Sequence, residues 1–152
     1  MVFRVSTEQA NSANLSSDRD FAAWFVEEIL KPEFPDFHTD LGPRQCIEQT
    51  GYGLLYARHF GIERRDLQAQ YLFLMWGVGP NFHTHPAFAR ILAMEEPEAE
   101  KIDRLFQVSD ADGGAAAAAA DDLHWFPWMV DGNVLGMTED PALADTVEQA
   151  DG

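Results

Sequence analysis

The side chains of this chain best suited to chemistry are five histidines and one cysteine. His83 and His85 stand two apart in the segment Asn81-Phe82-His83-Thr84-His85-Pro86. On a strand or loop that spacing can bring two imidazoles to one metal ion, with His38, His59 and His124 available as further ligands. No paired cysteines and no HExxH spacing accompany them. His85 also directly precedes Pro86, where a helix-starting residue belongs. The pair therefore reads as loop and capping residues, and neither a metal nor a cofactor is expected. Cys46 falls on an amphipathic stretch and reads as a small core residue rather than a nucleophile. The adjacent carboxylates Glu27-Glu28 and Glu95-Glu96 read as solvated faces. The glycine pairs in GYG, GVG and DGG lack the lysine and the strand-to-helix setting of a phosphate loop. No constellation points to catalysis, and the expectation is a chain that is not an enzyme.

Charge narrows the partners. The formal net charge is -16 with ten Lys plus Arg, which disfavours nucleic-acid phosphate and anionic membrane surfaces and fits either a basic protein partner or a solvating surface, as in adaptation to high salt. There is no basic recognition helix of the kind a helix-turn-helix reader needs. Residues 108–152 hold ten acids and no Lys or Arg, so most of the surplus lies there. Within that tail Leu123 to Val130, LHWFPWMV, is apolar and aromatic. Either this piece docks on the rest of the chain or it is a recognition arm, with Asp121, Asp122, Trp125, Phe126, Trp128 and Asp131 as the partner-binding candidates. No apolar leader is visible in MVFRVSTEQANSANLSS and no run reaches the ~20 residues of a membrane span, so a cytoplasmic protein is expected. A single cysteine excludes an internal disulfide.

The elements that would position these residues follow from periodicity. With 152 residues, 46% of them hydrophobic, there is material for one core and one domain. The run from Asp66 to Val78 is the longest apolar stretch. Leu67, Tyr71, Leu74, Met75 and Val78 form one helical stripe, and Leu72, Phe73 and Trp76 cover the other side, so this helix belongs at the centre. Gly77, Gly79 and Pro80 end it. A first helix is predicted over 18–30, capped by Ser16 or Ser17 and ended by Lys31-Pro32. The segment KPEFPDFHTDLGP, with three prolines, reads as a loop that tucks Phe34 and Phe37 against the core. Gly42-Pro43 starts a helix that Gly61 stops, with Ile47, Gly51, Leu54, Leu55 and Arg58 on one face. Gly51 and Gly53 within it each cost roughly 1 kcal/mol relative to alanine. Close approach of the central helix is the expected compensation. Glu63 is the expected cap of that central helix, with Ile62 and Leu67 as a staple, and the short link at Gly61 makes the two helices antiparallel.

Two shorter helices are predicted over 86–94 and 97–107, with Phe88, Ile91, Leu92, Ile102, Leu105 and Phe106 inward. The expected architecture is mainly α, a single-domain bundle of about five helices over 17–107. A flexible arm over 1–16 precedes it and an acidic, partly irregular tail over 108–152 follows. Asp131-Gly132-Asn133 has the chemistry of a small hairpin turn, and 141–149 is a terminal helix or disordered.

One resemblance is carried by particular residues. Tyr56-Ala57-Arg58-His59-Phe60-Gly61-Ile62, the Leu72-Phe73-Leu74-Met75 run, Gly79-Pro80-Asn81-Phe82, Pro86 and Ile91-Leu92 resemble small helical proteins encoded beside bacterial type VI secretion effectors. The resemblance spans about 18–107 and leaves the tail uncovered. Relatives carry acidic residues after Gly-Pro-x-Phe, where this chain has His83 and His85. The resemblance implies a non-catalytic partner of a secreted toxin. That is an immunity protein or, alternatively, an effector-loading chaperone or adaptor. A small metal-binding protein centred on His83 and His85 is the alternative of another class.

Overall fold

The computed structural model describes residues 17–139; the expected arm over 1–16 and the terminal segment over 141–149 lie outside them. The first helix, α1 (Asp18–Phe25), is capped by the Ser17 hydroxyl, which accepts from the Asp20 N–H. It does not stop at Lys31-Pro32. The chain widens into a π-helical stretch, Val26–Leu30, in which the Lys31 N–H reaches back five residues to the Val26 carbonyl, and continues through Lys31–Glu33. The wider register accommodates Pro32, which would break a regular ladder.

The predicted loop after it is a second helix, α2 (Pro35–Leu41). Pro35 occupies a first-turn position, where a missing N–H costs nothing, and Gly42 ends the helix at φ 83°. The prolines therefore start helices here. Phe34 is half-buried on Phe73, but Phe37 stays 40% exposed, so only one of the two expected anchors is tucked in.

Helix α3 (Pro43–His59) buries Cys46, Gln49, Thr50, Gly53, Leu54, Tyr56 and Ala57. The buried face is rotated from the expected one, since Ile47, Gly51 and Leu55 are half-buried and Arg58 is exposed. The polar Gln49 and Thr50 occupy core positions because each has a partner. Gln45 donates to Gln49, and the Trp76 indole N–H donates to Thr50 Oγ1 at 3.1 Å.

Helix α4 (Arg65–Gly77) is the centre, as predicted: every residue from Asp66 to Trp76 is buried. Its cap is not Glu63. Arg64 holds the cap position with its guanidinium donating to Asp66 and not capping the helix, and the Glu98 carboxylate accepts from the Arg64 N–H at 2.8 Å and the Glu63 N–H at 3.4 Å. After α4 the chain turns at Gly79 (φ 151°), where an added Cβ would sit 2.8 Å from that of Ala120. A single 3-10 turn, Phe82–Thr84, leads into α5 (Pro86–Leu92), and Pro97 caps α6 (Glu98–Phe106).

The tail is not irregular at its start. Ser109 caps a seventh helix, α7 (Asp110–Ala118), whose single buried residue is Ala116. Asn81 fastens its end, donating to the Ala119 carbonyl and accepting from the Asp121 N–H. Two 3-10 turns follow, Asp122–Trp125 and Pro127–Met129, and the expected hairpin at Asp131 is a plain turn; no strand occurs among the described residues. The fold is thus mainly α, with seven helices among the described residues. α1 packs on α3, α3 on α4, and α4 and α5 on α6. The core runs from Phe21 and Phe25 through Tyr71 and Met75 to Ile102 and Leu105. Asp18 ties three helices by pairing with Arg58 of α3 and Arg65 of α4. No helix among the described residues is long and apolar enough to cross a membrane.

Candidate protein-docking site

The two histidines that most suggested chemistry do different jobs. His85 precedes α5 and its Nδ1 accepts from the Ala87 N–H at 3.2 Å, which is a helix cap. His83 is 5% exposed and packs on Tyr56 and Phe60, with ring centroids 4.9 and 5.6 Å away. The His124 ring lies 5.7 Å from it. Burial lowers the pKa of His83 to about 4, His124 and His59 add to that shift, and a hydrogen bond with the Pro80 backbone opposes it. At neutral pH His83 is an uncharged core residue. Among the described residues no three His, Cys, Asp or Glu side chains are grouped to hold a metal ion. Cys46 is fully buried, and burial pushes its thiol up, away from the thiolate a nucleophile needs.

Beside this cluster Tyr56 fastens the aromatic tail. Its hydroxyl donates to the His124 carbonyl at 2.8 Å and accepts from Asn133 Nδ2 at 2.6 Å. Burial raises the Tyr56 pKa while the Asn133 bond works against it, so the hydroxyl stays protonated and able to donate. Asp121 begins the turn by accepting from the Leu123 N–H. The turn then lays Trp125 flat on the bundle, 4% exposed, with its ring 4.4 Å from that of Trp76. Trp125 therefore packs into the core, with little of its ring exposed.

Docking of the turn creates a trough of about 440 Å³ between α2, the start of α3 and the tail. Trp76 and Trp125 line its base, with Phe37 against Trp76 at 5.3 Å. Leu41, Phe126, Gln45 and Gln49 form the walls, and Asp40 and Asp122 complete the lining. No lysine or arginine among the described residues lines it. Phe37 and Leu41 are 40% and 39% exposed, although both are large and apolar. They stand one turn apart on α2, a helix in which no residue is buried.

No family model, no curated protein and no solved structure matches the chain. Of the six expected binding residues, Asp122, Trp125 and Phe126 line the trough. Asp121 stands beside it as a cap. Trp128 and Asp131 lie elsewhere, together at a smaller depression of about 250 Å³, with Trp128 edge-on to Tyr52. Phe37, Asp40, Leu41, Gln45, Gln49 and Trp76 were not foreseen as site residues. The available signal was the i, i+4 spacing of Phe37 and Leu41 between Pro35 and Gly42, which reads as a helical face once proline is taken as a helix start.

Proposed function

We propose that this chain is a non-catalytic binding protein that holds and neutralises a secreted bacterial toxin or effector with a basic surface. The observation that carries the reading is the trough. It pairs exposed apolar side chains with the carboxylates of Asp40 and Asp122, with no lysine or arginine among the described residues of its lining. An apolar centre bordered by charge is the anatomy of a protein contact, and the chain's net charge of -16 steers a basic partner toward it. The resemblance of 18–107 to proteins encoded beside type VI secretion effectors supports a toxin as that partner, and a cytoplasmic place for the chain follows from such a role.

The test is recovery of the tagged chain from its own host, mass spectrometry of what accompanies it, and expression of that partner with and without the chain. Growth restored by the chain is the expected result. A stable complex with a partner that is not toxic, needed only for solubility or export, would replace neutralisation by an effector-loading chaperone or adaptor role. Absence of any reproducible basic partner would overturn both.

A further inference from the structure

We infer that the trough between α2 and the Asp122–Trp125 turn receives a short helix of the partner, with apolar side chains one turn apart and lysine or arginine alongside them. The inference rests on the binding role proposed above and specifies what is bound. α2 carries two parallel stripes: Phe37 and Leu41 are apolar, and Asp36 and Asp40, each one position earlier, are acidic. Both stripes repeat at i and i+4, the spacing at which a second helix presents its own side chains. All four residues are exposed. Asp122 supplies a further carboxylate from the tail turn, and the buried Trp76–Trp125 pair lines the trough between them.

The walls also decide the conformation of the occupant. Strand addition needs a free sheet edge, and here the trough is bounded by α2, α3 and a 3-10 turn, with no strand among the described residues. Recognition comes from side chains, and the i, i+4 spacing of the two α2 stripes matches the helix-in-groove mode. A second copy of this chain is disfavoured as the occupant, since it would bring another -16 against the same carboxylates.

The test uses the full chain and a synthetic amphipathic helix of leucine and lysine, with leucines at i and i+4. Two companion peptides carry serine for leucine and glutamate for lysine. Binding is measured by calorimetry for the chain, for Leu41→Ser, for the double variant Asp40→Asn/Asp122→Asn, and for Asp131→Asn, which lies outside the trough. Circular dichroism and thermal melting check that each variant is folded; no residue of α2 is buried, so Leu41 and Asp40 can be changed without opening the core.

The expected result is binding of the leucine–lysine helix alone, weakened about tenfold or more by Leu41→Ser and by the double aspartate variant, and changed less than about twofold by Asp131→Asn. Equal binding of the serine peptide, or equal weakening by Asp131→Asn, would show attraction to acidic surface at large and would overturn the inference. Self-association of the chain that Leu41→Ser abolishes would overturn it in favour of a dimer. Failure of the proposed function is separable. A toxin neutralised equally well by the Leu41→Ser and double aspartate variants removes the trough and keeps the neutraliser. A peptide bound in the trough of a chain that protects against no toxin does the reverse.

Discussion

A Cβ built on Gly53 of α3 would lie 2.6 Å from Cδ2 of Leu72 on α4, closer than unbonded carbons approach. The same added carbon would meet Met75 Sδ at 3.1 Å and the Trp125 ring at 3.5 Å. One missing side chain thus lets the central helix and the aromatic tail come together on α3. The neighbouring Gly51 shows the contrast, because nothing lies within 4 Å of a Cβ placed there.

These two glycines give a matched pair. Gly51→Ala should raise stability by roughly 0.5–1 kcal/mol, since alanine loses less backbone freedom in a helix and meets no neighbour. Gly53→Ala gains the same helix term but forces Leu72, which is fully buried, to move, and overpacking of this kind costs about 1–3 kcal/mol. Urea denaturation of both variants should place Gly51→Ala above the parent and Gly53→Ala below it. Equal stabilisation by both would mean that the helices do not approach at Gly53.

The cap of α4 is a tertiary contact, and removing it should cost accordingly. Glu98→Ala leaves the N–H groups of Glu63 and Arg64 without their carboxylate, with an expected loss of about 1 kcal/mol, while Glu98→Gln keeps an acceptor and loses less. Glu63→Ala should be close to neutral by the same thermal melting measurement. A larger loss at Glu63 than at Glu98 would restore the local cap that the sequence suggested.

What could be read from the sequence and what could not divides along this line between local and distant causes. The α4 helix was legible because it is apolar nearly all round; of the two helical glycines expected to mark a close approach, Gly53 meets one and Gly51 does not. The Glu98 cap was not legible, since its partners stand 34 and 35 residues away and nothing local announces it. α2 was missed because Pro35 read as a break although it opens a helix, as Pro43 does for α3. α7 has five alanines and two glycines with no apolar period, so its packing through Ala116 left no pattern to find. The trough inherits the miss of α2, which forms one side of it, the docked Asp122–Trp125 turn forming the other.

The pH dependence of stability should carry the signature of His83. Its folded pKa of about 4 lies below the ordinary value of 6.5, so the unfolded chain binds more protons than the folded one between those limits. The histidine's contribution is fully present above about pH 6.5, is lost progressively as pH falls, and is gone near pH 4, a span on the order of 3 kcal/mol. For Asp18, burial works to raise the pKa, and Arg58 and Arg65 outweigh it, so the net shift is downward from 3.8. Its contribution is retained through that window and lost only at lower pH. Replacing His83 by phenylalanine should flatten the stability curve between pH 6.5 and pH 4 in urea titrations. An unchanged slope would assign the acid sensitivity to other groups.

The aromatic tail can be tested as core against arm by comparing its two tryptophans. Trp125 is 4% exposed and lies on Trp76 and above Gly53, whereas Trp128 is half-buried against Tyr52 and Phe126. Trp125→Ala should cost about 3–5 kcal/mol, the range for a large aromatic removed from a packed interior. Trp128→Ala should cost far less, about 1 kcal/mol, because part of its ring is already in water. Near-ultraviolet circular dichroism should lose intensity in the first variant through the broken Trp76–Trp125 pair and change little in the second. If both variants were equally mild, the tail would be an arm resting on the bundle, and the trough it walls would have to form on partner binding.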